Sequence, residues 1–195
     1  MIRALIGAVA GAIAMFVVGF IFFATPLQNI GIDKLTDAQA ATVQQSLNAN
    51  LPGTGTYYVP SPDTAAQSVM YGQGGVATVH YNRGGFAAAD ATSMVGGFVQ
   101  MLIVNLLMAA ALYLLVQYVA EFGVQSRILL LGVLAATVFT RLGEPVWTHQ
   151  DWAYAIYVFV ADSVAMVVSG LTILKLLPKR SAAPTAAPAG STSDL

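Results

Sequence analysis

The sequence predicts an all-α membrane bundle of four transmembrane helices with a small α+β extracytoplasmic loop domain. Three observations carry this reading. Of 195 residues, 57% are hydrophobic and only 9% are charged, whereas an ordinary soluble domain is about 25% charged. Long uncharged runs recur along the chain. Between the first and second of them, residues 25–90 differ in kind, being rich in Pro, Gly, Ser, Thr and Asn.

The first span is read over 4–24. At ~1.5 Å per residue it reaches roughly 31 Å, enough for a hydrocarbon core of ~30 Å. A secretory signal peptide would have a shorter apolar core and an A-x-A-like cleavage site, and none follows, so an uncleaved anchor is expected. Its Gly7 and Gly11 form a G-x-x-x-G spacing, a close-packing face that serves either the bundle or a partner chain.

Residues 25–90 read as the extracytoplasmic loop domain. Thr36 followed by Gln39 is a capping-box signature, predicting a helix over 37–50. Residues 55–60 and 68–81 are expected as strands, with Gln73-Gly74-Gly75 as a turn inside the second stretch. Such a unit is marginal as an independent fold and is expected to rest on the helix ends or on a partner. Tyr57, Tyr58, Pro60, Met70 and Tyr71 are apolar for a water-facing loop, and read as a local mini-core or as a docking patch.

The second span is read over 94–120. The third, over 128–147, is apolar only from Ile128 to Thr140 and has to continue through Arg141 and Glu144, with Pro145 weakening its last turn. The fourth covers 152–175, with Asp162 as its charge before the terminal lysine. The tail 181–195 is Ser/Ala/Pro/Thr-rich and is expected to be disordered and cytoplasmic. Arg3, Arg127, Lys175, Lys179 and Arg180 fall on one side of a four-span topology. By the positive-inside rule both termini are therefore cytoplasmic. Trp147, Trp152, Tyr154 and Tyr157 then form an aromatic belt at the outer boundary.

Asp162 carries the most information about chemistry. Counted from Trp152 it lies about 15 Å deep, where an unpaired carboxylate costs ~2.5–3.5 kcal/mol on insertion scales. Arg141 and Asn105 fall at nearby depths. A polar cluster of Asn105, Arg141 and Asp162 is expected, as a proton- or ligand-binding site or as a network joining helices. Arg141 has an alternative partner in Glu144, three residues on. Glu144, His149 and Asp151 could hold a metal, but their spacing matches no metal motif, and no metal or other cofactor is assigned. His80 reads as an ordinary loop residue.

Cysteine is absent, which excludes disulfides, thiol catalysis and iron–sulfur clusters. A net charge of −1 gives no field for nucleic acid. No nucleophile–base pair or phosphate loop is visible, so no catalytic residue is named. Two functions stay open. One is an accessory or interaction protein of a larger membrane assembly. The other is a small homo-oligomeric transporter, or a proton- or ligand-responsive protein, using Asp162. The expected partners are the lipid bilayer and other membrane subunits or a second copy.

The layout resembles small bacterial inner-membrane proteins with an N-terminal anchor, a periplasmic loop carrying a Pro-Gly…Tyr-x-x-Pro element, and three closely spaced helices. Here the element runs Pro52-Gly53-Thr54-Gly55-Thr56-Tyr57-Tyr58-Val59-Pro60. The resemblance spans most of the chain. It implies a bacterial inner membrane as the setting and implies no activity.

Overall fold

The structure, a computed structural model, describes residues 2–87 and 90–178. The expected tail, 181–195, lies outside the described residues. Four helical stretches are long and apolar enough to cross a membrane: Ile2–Phe23, Ala91–Tyr118, Phe122–Trp147 and Trp152–Leu176. The first is α1 (Ile2–Phe23). Between it and the second lie a 3-10 turn (Pro26–Ile30), α2 (Asp37–Asn50), β1 (Gly55–Val59), α3 (Ala65–Gln73) and β2 (Ala77–Tyr81). Then come α4 (Ala91–Tyr118), α5 (Phe122–Thr137), a π turn (Val138–Leu142), α6 (Glu144–Trp147) and α7 (Trp152–Leu176).

The connecting segment agrees with its capping signal and departs from one strand assignment. Thr36 accepts from the Gln39 amide and the Gln39 side chain accepts from the Thr36 amide, so the capping box starts α2. Residues 68–73 are helical rather than extended. Thr64 caps α3 by accepting from the Gln67 amide at 3.2 Å, a second Thr-x-x-Gln start that the strand reading passed over. Gln73-Gly74-Gly75 therefore ends a helix instead of turning a hairpin. β1 and β2 still pair antiparallel, with Thr56 opposite His80 and Tyr58 opposite Thr78, and α3 forms the connection between them.

The third long helix begins at Phe122, six residues before the expected 128. Buried Gln125 explains part of this. Its amide donates to the Val119 carbonyl at 2.6 Å and ties the turn after α4 to the first turn of α5. The far end is not one continuous helix. Pro145 has no N–H for the Arg141 carbonyl and its ring crowds that carbonyl. The hydrogen-bond pattern slips into a π turn over Val138–Leu142 before α6 resumes.

α7 is the centre of the bundle. It packs along α1 and also against α4, α5 and the π turn, whereas α4 packs mainly on α1. Gly7 and Gly11 are buried on the face of α1 that meets Ile173 of α7. The close-packing face is thus used within the chain. Gly170 does the same on α7, where the Leu129 side chain of α5 fills the space a Cβ would take.

Tyr157, expected in an aromatic belt, is instead 6% exposed. Its hydroxyl donates to the Phe22 carbonyl, one of the last in α1 and without a helical partner. Its ring meets Phe22 and Phe23 edge-on at centroid distances of 5.9 Å. Gly31 lies against the root of the same ring, its hypothetical Cβ 2.5 Å from Tyr157 Cβ. Tyr157→Phe keeps the packing and orphans the carbonyl, so it is expected to lower stability by about 1 kcal/mol in thermal unfolding.

Asp90 caps α4. Its carboxylate accepts from the Ser93 hydroxyl and from the amides of Thr92 (3.0 Å) and Ser93 (3.1 Å). These bonds, the Ser93 hydroxyl first, hold its pKa below the ordinary 3.8. Because the folded pKa is the lower one, the cap's contribution is complete above the unfolded value and is lost as pH falls through the folded value. The Thr92 and Ser93 amide resonances should titrate below pH 3.8 and should stop doing so in Asp90→Asn.

Candidate functional site: a polar cleft and an ion pair

Asp162 projects from α7 toward the π turn, where its carboxylate accepts from Arg141 Nε at 2.7 Å. The pairing inferred from depth alone is present. The alternative, Arg141 with Glu144, is not formed; Glu144 accepts instead from the Thr148 hydroxyl at 3.1 Å. The pair is not sealed in the bundle, since the Arg141 side chain is 47% exposed and that of Asp162 29%.

Asn105 does not join them, which corrects the expected three-residue cluster. It is fully buried on α4, accepting from the Ser169 hydroxyl and donating to the Met101 carbonyl at 2.9 Å and toward Met15 Sδ at 3.6 Å. Ser169 lies seven residues beyond Asp162, so the two layers are roughly 10 Å apart along α7. Depth counting puts Asn105 level with Asp162, whereas its contact with Ser169 places it a layer further along α7. The residue that does neighbour the ion pair is Ser163, whose hydroxyl meets Thr137 at 2.9 Å in a buried bridge between α5 and α7. Neither residue was singled out in the sequence, because hydroxyls in apolar helices commonly bond their own backbone, as Thr137 also does.

Arg141 also lines a polar cleft of about 720 Å³ between the small sheet and the bundle end. One wall is a single sheet face, Thr56 and Tyr58 of β1 with Thr78 and His80 of β2. The other is the end of the third and fourth long helices: Arg141, Glu144, His149, Asp151 and Tyr154. His80 is held by the Thr56 hydroxyl at 3.0 Å from Nδ1. His149 turns the chain into α7 with φ +57, a left-handed conformation that non-glycine residues seldom adopt. Its ring meets Tyr71 of α3 at 5.8 Å, joining the segment to the bundle. A smaller cleft of mixed polarity, about 310 Å³, adjoins the first, lined by Pro60, Pro62, Asp63, Tyr71 and Trp147.

The two histidines, distant in sequence, thus share one cleft with two carboxylates. Among the described residues no group of three or more His, Asp or Glu side chains is arranged to hold a metal ion. Chemically the cleft offers one guanidinium, two carboxylates and hydrogen-bonding imidazoles. Protein-family models, curated proteins and solved structures all return no match to the chain.

Proposed function

We propose that the protein is a multi-pass accessory protein of a bacterial inner membrane. In this reading both termini are cytoplasmic and the segment between α1 and α4 docks outside onto another subunit of a membrane assembly. One observation carries the reading: from Ala24 to Ala87 not one described side chain is buried. Ordering backbone costs about 1–2 kcal/mol per residue, which apolar burial normally offsets. This segment has no core to do so, and its two-stranded sheet is marginal alone. Several of its apolar side chains face outward: Tyr58, Val69, Met70 and Phe86 are exposed, as is neighbouring Trp147 at 83%. A partner covering them would supply the missing burial.

The test is purification in mild detergent from native membranes, followed by native mass spectrometry of the wild type and of Met70→Glu and Phe86→Glu. The expected result is a stoichiometric foreign subunit, shed by the variants while the bundle melts as before. Recovery of the chain without a partner, its segment equally resistant to protease inside and outside the membrane, would sink the docking reading.

The half-exposed Arg141–Asp162 pair supports a second reading, a ligand- or proton-responsive protein. It places chemistry at the edge of the bundle that a purely structural pair does not need.

A further inference from the structure

Arg141 donates through Nε to Asp162, and among the described residues this is the hydrogen bond its guanidinium makes. The other guanidinium N–H groups are left to the cleft, consistent with the half-exposure of the side chain. A guanidinium anchored by Nε presents its Nη1–Nη2 edge, whose parallel donors match the two oxygens of a carboxylate. The opposite charge lies on the same wall. Glu144 uses Oε2 for the Thr148 hydroxyl, and Asp151 uses Oδ2 for the Tyr154 amide at 2.8 Å. Each keeps its second oxygen uncommitted among the described residues.

The geometry points to a binding site for a small zwitterion, an amino acid or short peptide with a free ammonium and a free carboxylate, in this cleft. The carboxylate lies on the Nη edge of Arg141 and the ammonium between Glu144 and Asp151. A dianion would meet two carboxylates, and a simple amine would leave the Nη1–Nη2 donors of Arg141 unused, so a molecule carrying both charges is the complement. The cleft, about 720 Å³, falls within the ~300–1,000 Å³ typical of ligand sites. Tyr58 and Thr78 of the sheet face line it and its smaller neighbour alike, which gives a side chain somewhere to go. The inference extends the ligand-responsive reading and needs no docking partner.

The experiment is isothermal titration calorimetry of the purified full chain with four probes: L-alanine, L-alanyl-L-alanine, its N-acetyl derivative and its C-terminal amide. The expected result is that at least one zwitterion binds about tenfold or more tightly than both blocked analogues, since each blocked end removes a charge-assisted hydrogen bond. A preference for the dipeptide over alanine would make the ligand a peptide, and the reverse a free amino acid. Arg141→Lys keeps the charge but not the fork, and should weaken zwitterion binding about tenfold. The pair Glu144→Gln and Asp151→Asn should weaken the zwitterion while the anionic N-acetyl probe binds no more weakly. No binding by either zwitterion, or blocked analogues as tight as the dipeptide, would overturn the proposal on the wild type alone. Such a result would leave the docking reading standing, because no partner is present in the titration.

Discussion

Gly11→Ala should destabilise the bundle by roughly 2–5 kcal/mol, combining overpacking with the loss of a buried hydrogen bond. Gly7→Ala, in the same motif, should cost less than about 1 kcal/mol, as a substitution with room for the added methyl. The difference lies in what each new methyl meets. At position 7 it would stand 3.5 Å from Ile173 Cγ2, an ordinary contact. At position 11 it would stand 2.5 Å from Asn105 Oδ1 and 3.0 Å from Ile173 Cγ1. Asn105 cannot simply retreat, because that oxygen holds the Ser169 hydroxyl and its amide holds the Met101 carbonyl. Moving it leaves a fully buried hydroxyl without its partner. Chemical unfolding in detergent, followed by tryptophan fluorescence, would measure both variants. Equal losses at the two positions would show that helix spacing, not the asparagine, limits the approach of α1. In Asn105→Ala the added cost of Gly11→Ala should largely vanish, a coupling that a double-mutant cycle reads directly.

Asp162→Leu is expected to be the other costly change, at about 1–3 kcal/mol. Removing one member of a buried pair costs 3–5 kcal/mol, and exposure of Arg141 to the cleft reduces that figure through solvent screening. Asp162→Asn should lose less, because an amide oxygen still accepts from Nε. The exchanged pair, Arg141→Asp with Asp162→Arg, should recover part of the single-variant loss in thermal unfolding. Recovery will be incomplete, since an arginine on α7 reaches from a different backbone than one on the π turn. If the exchanged protein is no more stable than the worse single variant, the pair does not hold the π turn to α7.

Much of this architecture was legible from physical rules applied to the chain. The four apolar stretches follow from length and hydropathy, and α2 from Thr36 and Gln39. The Arg141–Asp162 pairing followed from counting 1.5 Å per residue along two helices, because a charge at that depth needs a counter-charge. What was missed depends on neighbours in space or on a local cap, which composition and counting along single helices do not encode. Counting along single helices puts Asn105 level with Asp162, but it packs beside Ser169, roughly 10 Å further along α7. Tyr157 reads as an interfacial aromatic until the end of α1, with its orphan carbonyl, is found beside it. α3 reads as a strand because Val69, Met70 and Tyr71 suit a pleated sheet, while Thr64, which decides the matter locally, sits one turn upstream. The cleft itself was beyond reach, since it forms between residues 69 positions apart, His80 on one wall and His149 on the other.

The central place of α7 bears on how the protein is made. A ribosome delivers α1, α4 and α5 before the helix they all touch has been synthesised. α1 and α4 already have each other. α5 has no comparable contact with either, and Leu129 and Thr137 wait for Gly170 and Ser163 to arrive. Until α7 is made, the third apolar stretch therefore lacks its main packing partner and Arg141 its counter-charge. A chain ending before Trp152 would leave Leu129, Thr137 and Arg141 all without the contacts they make in the complete bundle.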